Sequence, residues 1–207
     1  EEVLNRELSK LLQEDIKIIG ASRTDSGVHA LGNVAVFDTQ TRIPPEKISF
    51  ALNQRLPDDI RIQESCQVAD DFHPRFCDTI KTYEYRIWND KFPNPLVRLY
   101  SKFCYFNVDV AKMEQAAAYL VGEHDFKSFC TPRTQVESTV RTVTEISFRT
   151  EGKMIIMTIR GTGFLYNMVR IIMGTLLKCG MNMYPPEHVK EILDAKDRAA
   201  AGPKAEA

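Results

Sequence analysis

The chain reads as an α+β protein with a mostly antiparallel sheet, and three observations predict it. Its 207 residues are 43% hydrophobic and 27% charged, the balance of a globular chain that can bury one large core or two small ones. Strand-like runs rich in Val, Ile, Tyr and Phe come in neighbouring pairs separated by turn residues, as hairpins do. Helical stretches interrupt these pairs without the regular alternation that builds a doubly wound parallel sheet. The pattern runs twice, which predicts one unit over 1–70 and a second over 71–207.

The first round opens on "EEVLNRELSKLLQED", where Val3, Leu4, Leu8, Leu11 and Leu12 recur at helical spacing. Strands are expected at 16–21 and 31–38. "IPPEKISFALNQRL" at 43–56 then makes a helix with Pro in its first turn, and "DDIRIQESCQV" at 58–68 makes a further strand. After the loop "ADDFHPRFCDT" the second round begins with strand "IKTYEYRIWN", turn "DKFPNP" and strand "YSKFCYFNV". The amphipathic stretch "DVAKMEQAAAYLVGE" follows as a helix, with Asp109 as its N-cap. Strands "TVRTVTEISFRT" and "KMIIMTIRG" are joined by the turn "EG". A helix from about 164 to 179 closes on Gly180 as a C-cap, and a last helix, "PPEHVKEILDA", fades into "RAAAGPKAEA".

Charge and cysteine usage narrow the class. A net charge of -1 and a pI near 6.5 predict no bulk attraction to polyanions, so a nucleic-acid site needs Lys and Arg gathered on one face. Cysteines 66, 77, 104, 130 and 179 form no C-x-x-C pair, which fits a reducing cytoplasm. His73 and Cys77 are the closest His/Cys pair, and without further converging ligands no metal is expected. The longest apolar stretch, 161–177, is too short to span a bilayer and carries Arg170 in its middle, so it reads as a buried helix.

Few residues stand out as chemically apt. Asp25, in the Thr-Asp-Ser-Gly turn between two strands, is either a turn former whose carboxylate accepts backbone N–H bonds or a reactive group beside Arg23 and His29. Arg170 is the one charge among Leu165, Met168, Val169, Ile172, Leu176 and Leu177. A buried guanidinium needs an acid, which its own helix does not offer and which must come from elsewhere, and its neighbours Tyr166, Asn167, Met173 and Gly174 form a narrow face that another backbone can approach closely. The bland alternative is an arginine snorkelling from a partly exposed helix. Strand alternation puts Lys81, Tyr83, Tyr85 and Ile87 on one face and Thr82, Glu84, Arg86 and Trp88 on the other. Such aromatics serve either as core or as a stacking platform for an unpaired base. "FHPRF", with His73 and Arg75, is a similar basic and aromatic mixture, or a loop with two hydrophobic anchors. "TDSG" brushes against serine-hydrolase turns, but Ser26 lacks their flanking glycines. "GEHDFKSF" reads as a helix end followed by an aromatic plug.

In order, "SRTDSGVHA", "ALNQRLPDDI", "FHPRF", "KTYEYRI", "GEHDFKSF", "RTVTEI" and "GTGFLYNMVRIIMGTLLKCG" resemble the bacterial tRNA pseudouridine synthase A family over about residues 3 to 180. The resemblance implies two pseudo-repeated halves whose sheets join into one, helices on one face, a central basic RNA-binding cleft and a cytoplasmic homodimer that grips tRNA. It implies conversion of uridine to pseudouridine at positions 38, 39 and 40 of the anticodon stem-loop, with no cofactor and no metal. Residue by residue, Asp25 falls on the family's nucleophile, Arg170 on the basic residue paired with it, and Tyr83 on the aromatic that stacks on the target uracil. Arg23 falls on the residue that helps displace the flipped base, and Phe164 lines the pocket. His29, His73, Arg75 and Lys81 are expected as further RNA contacts.

The family commonly opens with a strand, a Tyr-Asp-Gly loop and a Gly-Trp-Gln segment, and closes with a strand after an Ala- and Pro-containing linker. Neither has a counterpart here, so the chain is expected to be a fragment missing both end strands, with exposed sheet edges. The rival reading from another class is a non-catalytic RNA-binding module using the same faces.

Overall fold

Leu8 and Leu12 lie one helical turn apart on α1 (Glu2–Leu12), and both are buried against Ile48 and Leu52 of α2 (Pro45–Asn53). Pro45 starts α2, where its missing N–H costs nothing. These helices belong to the first of two units, Glu1–Cys77 and Asp78–Ala207, in a computed structural model that describes residues 1–131 and 136–207.

The strands of the first unit are much shorter than the expected 16–21 and 31–38: β1 (Ile19–Gly20) pairs antiparallel with β2 (Ala35–Val36), Ile19 opposite Val36. The reason is competition from side chains. The Ile16 N–H donates to Ser9 Oγ at 2.9 Å and the Ile18 N–H to Asn5 Oδ1 at 2.9 Å, so this segment is bonded to α1 before it can enter a ladder. The strand expected at 58–68 is absent for the same reason. Asn53 accepts the Ile62 N–H and donates to the Ile62 carbonyl, both at 2.8 Å, so one side-chain amide does the work of a neighbouring strand. The Ser65 hydroxyl accepts from the Ser49 N–H and donates to the Pro45 carbonyl.

In the second unit a five-stranded sheet runs in the order β4-β3-β7-β6-β5. Its strands are β3 (Lys81–Asn89), β4 (Lys102–Cys104), β5 (Gly122–Asp125), β6 (Val140–Glu151) and β7 (Met154–Gly161). The β6/β7 hairpin turns at Gly152-Lys153, one residue later than expected, with Gly152 at φ 60° in the first central position, as a type II′ turn requires. All pairings are antiparallel except β3 with β4, which are parallel, Ile87 opposite Lys102. The hairpin expected there does not form. Pro93 and Pro95 have no N–H for a ladder, and the intervening loop is tied instead by Trp88 Nε1 donating to the Phe92 carbonyl.

The helix α3 (Val110–Ala117) starts where Asp109 accepts the Lys112 N–H, as expected. It ends sooner than expected, passing through a 3-10 turn at Ala118–Leu120, after which Val121 is extended and Gly122, at φ 117°, opens β5. Phe126 and Phe129 are fully buried, so the aromatic plug is present, behind a strand rather than a helix end.

The helix α4 (Met168–Gly180) begins four residues later than expected, after Asn167 in the left-handed region, and runs through Gly180. Gly180 is a packing residue and not a cap: a Cβ there would lie 2.8 Å from Met113 of α3. After α5 (His188–Ala195) the tail does not fade out. Gly202 and Ala205 are buried, Ala205 within the main core. That core joins Ile155, Met157 and Ile159 of β7 to Met168, Ile171, Ile172 and Leu176 of α4 and to Val189 and Ile192 of α5. The other face of the sheet carries an ion-pair ladder, Glu145 with Arg160 and Glu84 with Arg86 and Arg149. Among the described residues no helix is long and apolar enough to cross a membrane.

Candidate active site

Asp25 stands in the loop that joins β1 to β2. The loop is closed at its base by the Ala21 N–H donating to the Val34 carbonyl at 2.8 Å, and higher up by Asn33 Nδ2 donating to the Ser22 carbonyl at 3.0 Å. At its tip the Val28 N–H donates to the Asp25 carbonyl, closing a turn whose third residue, Gly27, has φ 83°. Only glycine takes that angle without strain, so Gly27 is required by the turn itself. Asp25 is half-buried on a pinned loop, whereas Arg23 and His29 are exposed. Arg23 reaches Glu1 at 3.2 Å in a solvent-facing ion pair of the kind that contributes little stability and gives way readily.

The "FHPRF" loop belongs to the same unit. Arg75 Nε donates to the Gly20 carbonyl at 2.8 Å, anchoring this loop to the end of β1, and the Arg75 N–H donates to His73 Nδ1. The His73 and Phe76 rings lie 4.4 Å apart. Of the two phenylalanines expected as anchors, Phe72 is half-buried and Phe76 is 83% exposed, so Phe76 anchors nothing here.

Within the second unit the structure brings Tyr83 and Phe164 together, edge to face with centroids 5.3 Å apart. Both are partly buried against the core, and Lys81 lies at the start of the same strand face as Tyr83. Arg170, in the first turn of α4, is half-buried. Its Nε donates to the Ala205 carbonyl at 2.9 Å and its Nη1 to Asn167 Oδ1 at 3.4 Å. The backbone expected to approach the small face of this helix is that of the tail: a Cβ on Gly174 would lie 1.8 Å from the Pro203 carbonyl oxygen.

Two residues that sequence reasoning left unassigned take part. Asn167 is buried, and its Nδ2 donates to Thr131 Oγ1 at 2.7 Å while its oxygen serves Arg170. Tyr85 donates its hydroxyl to the Glu206 carbonyl at 2.8 Å, and burial, with the Glu206 carboxylate second, pushes its pKa up to about 12. Its place on the strand face of Tyr83 was the only signal in the sequence. Among the described residues no three His, Cys, Asp or Glu side chains converge to hold a metal ion.

A family model described as tRNA pseudouridine synthase matches residues 1–77 and 116–207, segments that hold the Asp25 loop and α4. The chain belongs to the tRNA pseudouridine synthase family. Among curated members, it is 47% identical over 195 residues to tRNA pseudouridine synthase A 2 of Clostridium perfringens, covering 94% of this chain and 80% of that protein. It is 42% identical to tRNA pseudouridine synthase A of Acetivibrio thermocellus, over 98% of this chain and 83% of the relative. The corresponding synthase of Bacillus subtilis is 45% identical over 92% of this chain and 77% of its own length. Residues 78–115, with Tyr83, lie between the two matched segments of the synthase model.

Proposed function

We propose that this protein converts uridine to pseudouridine in tRNA, at positions 38, 39 and 40 of the anticodon stem-loop, in the cytoplasm. What supports the reading is family membership together with a half-buried aspartate held on a glycine-closed turn; the pinned Asp25 is the observation that carries it. A stacked uridine presents neither face of its glycosidic bond, so the nucleotide must be flipped out before reaction. Arg23, exposed and only loosely paired, is the residue proposed to fill the vacated stack, and Tyr83, braced by Phe164, offers the flat face for the extruded uracil. Lys81, His29, His73 and Arg75 are proposed as further contacts to the RNA.

The net reaction breaks the C1′–N1 bond, forms C1′–C5, releases the proton of C5 and leaves N1 protonated. No electrons leave the substrate, and side chains alone are proposed to carry it. Asp25 is the proposed nucleophile, at C1′ with departure of uracil or at C6, and Arg170 the basic residue proposed to assist it. For assembly we propose a homodimer. Phe92, Leu96, Leu99, Tyr100, Tyr105 and Phe106 are exposed within one stretch of the sequence, and they are the residues proposed to meet a second copy.

Tritium release from tRNA labelled at uridine C5 tests the activity. Wild-type protein is expected to release label, and Asp25→Ala to lower the rate at least about 1,000-fold. Binding of tRNA without release by the wild type would mark a binding module instead. Sedimentation at micromolar concentration tests the dimer.

A further inference from the structure

Arg170 does not take its orientation from its own helix alone. Residues 202–206 cross α4 as a strap, and their bonds are reciprocal: Arg170 Nε donates to the Ala205 carbonyl at 2.9 Å, and the Ala205 N–H donates to the Arg170 carbonyl at 3.0 Å. The strap is seated at both ends. At the start, the Gly202 N–H donates to Thr175 Oγ1, while Arg198 Nη1 donates to the Gly202 carbonyl, each at 3.0 Å. At the far end the Tyr85 hydroxyl donates to the Glu206 carbonyl, and Lys102 pairs with the Glu206 carboxylate at 3.0 Å.

Two glycines make the close approach possible. A Cβ on Gly174 would collide with the Pro203 carbonyl, and one on Gly202 would lie 2.8 Å from Thr175 Cα. A guanidinium is planar, so donors held at two points, Nε by Ala205 and Nη1 by Asn167, define the plane in which the others point.

We propose that Tyr85 is a positioning residue, which sets the plane of the Arg170 guanidinium for the reaction by holding the 202–206 strap in place. The inference rests on the role proposed above for Arg170. Tyr85 touches neither base nor sugar in this scheme. It acts through the Glu206 carbonyl, one residue from the carbonyl that Arg170 reads. Its high pKa keeps the hydroxyl a donor throughout the working range of pH.

Tyr85→Phe removes a single oxygen and keeps the ring that packs against the core, so the fold is expected to persist. Two measurements test the proposal. In single-turnover and steady-state tritium release, kcat is expected to fall roughly 10-fold with KM for tRNA unchanged, since a misaimed group harms the transition state more than binding. By NMR, the Arg170 Nε–H resonance, assigned by its loss in Arg170→Lys, is expected to exchange with water roughly 10-fold faster in Tyr85→Phe. The Ala205 amide should follow it. If the Nε–H exchange and kcat both stay within twofold of wild type, or if kcat falls while Nε–H exchange is unchanged, the proposal is overturned. If wild-type protein releases no tritium, the proposed activity fails and the positioning of Arg170 for reaction falls with it; the exchange measurement then reports the strap alone.

Discussion

Outside its helices, the first unit obtains backbone hydrogen bonds chiefly from side chains, whereas the second obtains them from a five-stranded ladder and one strap. Asn5, Ser9, Glu14, Asn53 and Ser65 each bond backbone groups of a distant segment, and β1 and β2 are only two residues long. In the second unit β3, β6 and β7 pair over most of their length, and the side-chain bonds gather at the loop after β3 and at the tail. The difference shows that a loop such as that of Asp25 does not require a long hairpin beneath it. A loop pinned at a few points by polar side chains holds its shape, provided each pin is satisfied on both sides.

Substitutions at single pins break this comparison at different strengths. Gly174→Ala is expected to be the most damaging, because the new methyl meets backbone, which cannot swing aside. A loss of about 3 kcal/mol in urea unfolding, the upper range for overpacking, is the expected outcome, with the tail released to proteolysis. Asn53→Ala in the first unit strands both the N–H and the carbonyl of Ile62, for an expected loss of about 2 kcal/mol. Were Asn53→Ala neutral, the side-chain stitching of that unit would be decorative.

Two smaller effects are pH-dependent and sharpen the contrast within the second unit. Tyr85 has its pKa raised from 10.0 to about 12, so between those values the unfolded chain loses its proton while the folded one keeps it. Stability is therefore full below pH 10 and declines from 10 towards 12, and Tyr85→Phe is expected to flatten that limb in a denaturation series. On the outer face of the sheet, hydrogen bonds from Arg149 and then Arg86 hold the Glu84 carboxyl below its usual 4.5, against a smaller opposing effect of burial. Its contribution is present above pH 4.5 and is lost as the pH falls through the lower folded value. Glu84→Gln should remove this acid limb and cost under about 1 kcal/mol at neutral pH, as surface ion pairs do.

Legibility followed the same division. Long, strongly patterned segments were read correctly: the alternation of 81–89 places Tyr83, Tyr85 and Ile87 on one face, and the apolar stretch of α4 is buried as its composition demands. The strand at 58–68 was misread because its alternation is real but its bonding partner is an asparagine amide, which no periodicity encodes. Gly180 reads as a cap since it ends an apolar run, and it is in fact a place where Met113 of α3 packs directly on the backbone of α4. The parallel return of β4 was hidden because turn residues announce a reversal and not the direction in which the chain comes back.

For the site, the sequence by itself determined which residues are candidates, because Asp25, Phe164 and Arg170 lie in segments matched by one family, and Gly27 is required wherever that turn forms. Only the tertiary structure decided how Arg170 is held. Among its partners, beside Asn167 of the same chain turn, are a carbonyl 35 residues downstream and, through the strap, a tyrosine on a different strand. Hydrogen bonds to backbone carbonyls leave no trace in residue type at the accepting position. Any side chain small enough would carry the Ala205 carbonyl, so that half of the contact exists in space and not in the alphabet.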